Sequence, residues 1–181
     1  MRALLLLVLG MTSCGWFGQP VSPLASAARA GDVAEIERLA STSPLDEPTG
    51  VNNWTPLMHA IHKNQPASVD ALLAAGAKVN RESGRTTALI MAAGYGYADI
   101  VRVLLSAGAD PRLAAAGTTA LEAAVVGSAD SDRYTKGQCQ TATVRALLDR
   151  DPGLRASEGP SVVKLAALDG CKDVVALLQS N

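Results

Sequence analysis

Apolar residues recur along this chain at three- and four-residue intervals, in short segments that come in pairs. The first segment of each pair closes on small residues: Ala27 and Ala28, Ala60, Ala92 and Ala93, Ala124, and Ala166 and Ala167. The second carries the heavier stripe: Val33, Ile36 and Leu39; Val69, Leu72 and Leu73; Ile100, Val101, Leu104 and Leu105; Val144, Leu147 and Leu148; Val174, Val175, Leu177 and Leu178. That spacing gathers the apolar groups on one face of a helix, whereas a strand alternates its faces at every residue. A hydroxyl residue opens each pair, at Ser22, Thr55, Thr87, Thr119 and Ser161. There its oxygen can accept from an amide that the first helical turn leaves without a partner. Pro23 and Pro56 stand next, where a missing N–H costs nothing, and Glu122 completes a capping-box pattern with Thr119. Gly76 and Gly108 fall where a left-handed C-cap is needed. Successive openings lie 33, 32, 32 and 42 residues apart. A period near 33 predicts stacked units that bury their apolar faces only against their neighbours. Such a stack offers a long groove and no enclosed reaction chamber.

The residues now carry a resemblance. Trp54-Thr55-Pro56-Leu57-Met58, Leu72-Leu73-Ala74-Ala75-Gly76-Ala77-Lys78-Val79-Asn80 and Leu104-Leu105-Ser106-Ala107-Gly108-Ala109-Asp110 resemble the TPLH and LLxxGAxVN runs of ankyrin repeats. The resemblance implies an all-α, ankyrin-like solenoid over residues 22–181, with about five stacked helix–turn–helix repeats and short hairpin-like finger loops. One departure stands out: the family's His after Pro-Leu is replaced by Ala25, Met58, Ile90, Glu122 and Lys164. Its hydrogen-bond network is expected to be missing, with lower stability than consensus repeats.

At the N-terminus, Met1-Arg2 precedes the apolar run Ala3 to Met11 and then Thr12-Ser13-Cys14. One positive charge and a short apolar stretch read as a secretory signal; the run is far below the ~20 residues that span a bilayer. Met11-Thr12-Ser13-Cys14 resembles the lipobox of bacterial lipoproteins. That implies removal of residues 1–13, acylation of Cys14, and a short tether over 14–21. Met11 stands where that family prefers Leu, and an ordinary signal peptide is the alternative. Gly15 after the Cys implies, by the same resemblance, the outer membrane of a Gram-negative cell, facing the periplasm. Trp16 and Phe17 either anchor at the bilayer interface or cover the first repeat.

Export would permit a disulfide between Cys139 and Cys171, which stand before the second helices of adjacent units. Two unpaired thiols one repeat apart are the alternative. The long fourth unit leaves an insertion at about 128–140, in which Arg133 and Tyr134 are good contact types.

Composition narrows the function. The chain is 48% hydrophobic but only 3% aromatic, as an Ala/Leu/Val helix stack requires. Sixteen basic and 17 acidic residues are mixed along it, so no basic stripe tracks a phosphate backbone and nucleic acid is not an expected partner. His59 and His62 share one helix face, but two imidazoles fall short of a zinc ligand set. No cofactor, metal or small-molecule substrate is expected, and an enzyme built on that His pair is the weakest reading. The expectation is a membrane-tethered module that binds a protein through finger tips and first-helix positions: Trp54, His59, His62, Arg85 and Tyr95, with Tyr134 outlying. Two roles are open for it. One is an immunity-type inhibitor of an envelope-directed toxin; the other is an accessory factor for another periplasmic protein, such as an oxidative-stress enzyme.

Overall fold

The computed structural model describes residues 20–128, Thr135 and residues 137–180. The signal segment, Cys14, Trp16 and Phe17 lie outside the described residues, as do Arg133, Tyr134 and the middle of the insertion.

Four of the five hydroxyls open helices as their positions predict. Ser22, Thr55 and Thr87 cap α1 (Pro23–Ala30), α3 (Pro56–His62) and α5 (Ala88–Tyr95), and Thr119 caps α7 (Ala120–Val126). Each side-chain oxygen accepts at 3.2–3.3 Å from the N–H three residues on, that of Ala25, Met58, Ile90 or Glu122. Glu122 also returns its carboxylate to the Thr119 N–H at 3.1 Å, closing the capping box. These are the positions where the family's His would stand. Ala25, Met58 and Ile90 are buried there, so apolar packing occupies that site in the first three units.

The fifth opening is a correction. Ser161 lies inside α10 (Gly159–Leu168) and caps nothing; the helix starts two residues earlier, with Pro160 in its first turn. The N-cap position belongs to Glu158, whose carboxylate instead accepts the Thr119 hydroxyl at 2.6 Å. A short helix, α9 (Leu154–Ser157), takes up the chain before it.

The second helices are α2 (Val33–Ala40), α4 (Pro66–Ala74), α6 (Ala98–Ser106), α8 (Thr141–Arg150) and α11 (Lys172–Gln179). The first helices form one row, α1 on α3, α3 on α5, α5 on α7 and α7 on α10. A second row runs alongside, α2 on α4, α4 on α6, α6 on α8 and α8 on α11. The core lies between the rows, with Ile36, Leu72, Leu104 and Leu147 fully buried along the outer one and Leu24, Leu57 and Leu121 along the inner. No helix among the described residues is long and apolar enough to cross a membrane.

Between units the chain makes narrow hairpins closed by single antiparallel bridges: Thr49 with Trp54, Ser83 with Thr86, and Ala115 with Thr118. Gly84 and Arg85, and again Ala116 and Gly117, have positive φ at both central turn positions, as a type I′ turn demands. Polar bonds lace each hairpin base to the next. Asp46 accepts the Lys78 N–H at 2.8 Å, Asn80 accepts the Asp110 N–H at 2.9 Å, and Arg112 grips Asp151 through two bonds of 2.6 and 2.9 Å.

Cys139 and Cys171 are joined, with their Cα atoms 5.4 Å apart. Cys139 precedes α8 and Cys171 is the N-cap of α11. The paired helix starts therefore bring the thiols closer than one repeat spacing would suggest.

Thr135 pins the insertion to the stack. Its side chain is 2% exposed, donates to the Gly94 carbonyl at 2.6 Å, and accepts the Ser128 N–H at 2.8 Å. Removing the hydroxyl takes its donor from the buried Gly94 carbonyl, at ~1–3 kcal/mol for an unmet buried group. Thr135→Val is therefore expected to lower the denaturation midpoint by an amount in that range, with unchanged far-ultraviolet circular dichroism. An unaltered midpoint would show that the anchor is dispensable.

Candidate protein-binding groove

Where fingers meet first helices, two hollows lie side by side and share Trp54. The first, about 370 Å³, is lined by Pro20 and Val21, by Arg29 of α1, by Gly50 to Asn52 of the first finger, and by Trp54, His59 and His62. The second, about 350 Å³, is lined by Trp54, Gly84 and Thr86, by Ile90, Met91, Gly94 and Tyr95 of α5, by Ala123 of α7, and by Gly127 and Ser128. Both sit at the low end of the ~300–1,000 Å³ of ligand sites. Each suits a large side chain better than a whole cofactor.

The wall between them is aromatic. Trp54 meets His62 at 4.9 Å between ring centres and His59 edge-on at 5.8 Å; His62 meets Tyr95 at 5.9 Å, and Tyr95 meets Tyr97 at 5.6 Å. The Tyr95 hydroxyl is also a hydrogen-bond partner of His62 Nδ1, at 3.1 Å. In a chain with two Trp, three Tyr and one Phe, every described aromatic residue and both His stand in this one cluster.

Several expected contacts change character. His59 is not a solvated groove residue: it is 4% exposed, and its Nε2–H donates to the Thr49 carbonyl at 3.3 Å. Its Nδ1 is buried without a partner, which ties the ring to the neutral form. Tyr95 is 3% exposed and offers the groove an edge, not a free side chain. Trp54, expected to stand exposed, is half-buried against the two imidazoles. Arg85 is exposed at the second finger tip, as predicted from its position, and adopts φ of +64° there. Tyr134 lies outside the described residues. Tyr97 and Thr135 went unnoticed from the sequence; the Gly94-Tyr95-Gly96-Tyr97 run held the signal for the first, and nothing local marks the second.

Gly84 is the residue on which the shape of the second hollow turns. A Cβ there would lie 2.3 Å from the Asn52 carbonyl and 2.8 Å from Trp54 Cδ1, at φ of +56°. Any side chain must push the first finger and the indole aside.

Burial pushes the His59 imidazole below its ordinary pKa of 6.5; the Thr49 carbonyl opposes this, while the charges of Arg29 and His62 add to it. The unfolded chain therefore binds a proton more readily than the native one. Stability is full above the unfolded value and falls as pH drops through 6.5 towards the lower native value. The melting temperature at about pH 5 is expected to lie below that at about pH 7.5, and His59→Gln should shrink the difference. An equal difference in that variant would assign the pH dependence elsewhere.

Among the described residues, no group of three or more His, Cys, Asp or Glu side chains is placed to hold a metal ion. Comparison with known families gives two matches. Residues 4–83 match ankyrin repeats in three copies, and residues 72–124 match ankyrin repeats in many copies. Beyond residue 124 the same stacking continues, α8 on α6 and α10 on α7. Paired helices, bridged fingers and these matches make the chain an all-α solenoid of ankyrin repeats, the architecture of a protein–protein interaction module.

Proposed function

We propose that the groove around Trp54 is the partner-binding surface of an exported module held at the bacterial envelope through a lipidated Cys14. The observation that carries the groove is the convergence of Trp54, His62 and Tyr95 on the wall between two adjoining hollows. Trp and Tyr dominate binding hot spots because a large, rigid surface loses little entropy on contact. At the rim of the first hollow, Val51 leaves 84% of its surface exposed on a finger tip, an apolar group with nothing yet to pack on. Export and anchoring rest on the Met11-to-Cys14 lipobox resemblance, with eight residues from Cys14 to Val21 as the tether. A tethered, open groove fits occlusion of an envelope-directed toxin, the immunity-type role.

Tyr95 is too buried for a clean alanine test, so the experiment uses Trp54→Ser and Val51→Ser. Affinity capture from envelope extracts should recover a protein with the wild type and lose it with both variants, at unchanged helical content. Capture indifferent to both would remove this groove from binding. Radiolabelled palmitate should enter the wild type and not Cys14→Ser; labelling of neither would discard the lipid anchor.

A further inference from the structure

The two hollows differ from the rest of the surface in charge. Charged residues elsewhere are largely mixed, as in the outward pairs Arg38 with Glu35 and Arg102 with Asp99. Neither hollow is lined by a carboxylate, and the first carries the guanidinium of Arg29 beside two imidazoles. Arg29 is exposed at the last turn of α1 and has no ion-pair partner among the described residues. It lies near enough to His59 for its charge to disfavour the imidazolium. Arg85 and Glu82, both exposed on the second finger, lie outside both linings and offset one another, which leaves Arg29 as the one charged lining residue. Around Arg29 and the imidazoles the lining carries no other charge and is largely apolar, with Val21, Val51, Ile90, Met91 and Ala123.

We infer that the groove takes an extended peptide segment of its partner, with apolar side chains in the two hollows and an Asp or Glu carboxylate opposite Arg29. Two adjoining hollows divided by one indole call for side chains spaced along a strand-like backbone, because successive residues of an extended chain reach well apart. Attraction between a rim cation and an acidic segment sets specificity and approach rate, and is screened by salt. The inference rests on the groove reading above and adds the chemistry of the occupant.

Random peptides displayed on phage and selected on the immobilised protein test both layers. The enriched peptides should place an aromatic residue or Leu beside Asp or Glu. Their binding should weaken about three- to tenfold with Arg29→Glu, as expected when a rim attraction becomes a repulsion. It should weaken likewise at high salt, and change little with Arg102→Glu on the outer row. Enriched peptides that are basic or uncharged, or indifferent to Arg29→Glu, overturn the acidic occupant. If those peptides are still lost with Trp54→Ser and Val51→Ser, the groove itself survives. Peptides indifferent to all these variants sink the groove reading as well, and enrichment of none overturns the extended segment.

Discussion

Replacing both Cys139 and Cys171 with alanine is expected to lower the unfolding free energy by about 3–4 kcal/mol. The bridge joins residues 32 apart in sequence, and closing a loop of that length removes roughly this much conformational entropy from the unfolded chain. What the loop contains sets where the loss falls. It encloses α8, α9 and α10 and ends on the N-cap of α11, so it ties the fourth unit to the last one. In a stack held by nearest-neighbour contacts, the terminal unit has a neighbour on only one side and frays first. The double variant should therefore lose amide protection in α10 and α11 before α3 to α6. Urea titration and hydrogen exchange measure the two effects, and a reductant acting on the wild type should reproduce them. An unchanged midpoint with unchanged exchange at the C-terminus would show that packing alone holds the last unit.

A comparable loss is expected from Leu104→Ala. Leu104 is fully buried on α6, between α4 on one side and α8 on the other. Truncating such a residue costs ~2–5 kcal/mol, the lost transfer energy plus the cavity that rigid neighbours cannot close. The stack makes the position matter as much as the side chain. A cavity in the middle weakens two interfaces at once, so unfolding should separate into two steps as the halves uncouple. Leu178→Ala, on the terminal α11 and also buried, should cost less and leave a single step, because its unit has one interface. If the two variants lose equal stability in one shared transition, the units do not behave as a chain of neighbours.

These expectations began as features visible in the residues. Ser22, Thr55, Thr87 and Thr119 announce their helices because a cap involves only the next three residues, and no distant part of the chain is needed to satisfy it. Ser161 misled for a matching reason. Pro160 already fits the first turn of a helix, and Glu158, which would cap it, is drawn away by the Thr119 hydroxyl 39 residues earlier. A hydroxyl before an apolar run is a local signal; whether a distant partner competes with it is not.

The binding surface divides along the same line. That Trp54 belongs to a finger and that His59, His62 and Tyr95 belong to first helices follows from their positions in the repeat. Which of them faces water does not. His59 and His62 are three residues apart, yet one is buried against Thr49 while the other turns towards Trp54 and Tyr95. The difference is made by the finger, ten residues before His59, and by the helix ahead, whose Tyr95 is 33 residues beyond His62.

By itself, then, the sequence determined the period, the helix pairs, the caps and the glycine turns, because these depend on neighbours within a few residues. Only the tertiary structure decided that Cys139 meets Cys171, that Thr135 returns to Gly94, and that one indole divides two hollows. The first two join residues 32 and 41 positions apart, the hollows draw on several units at once, and stacking of whole units is what brings all of these within reach.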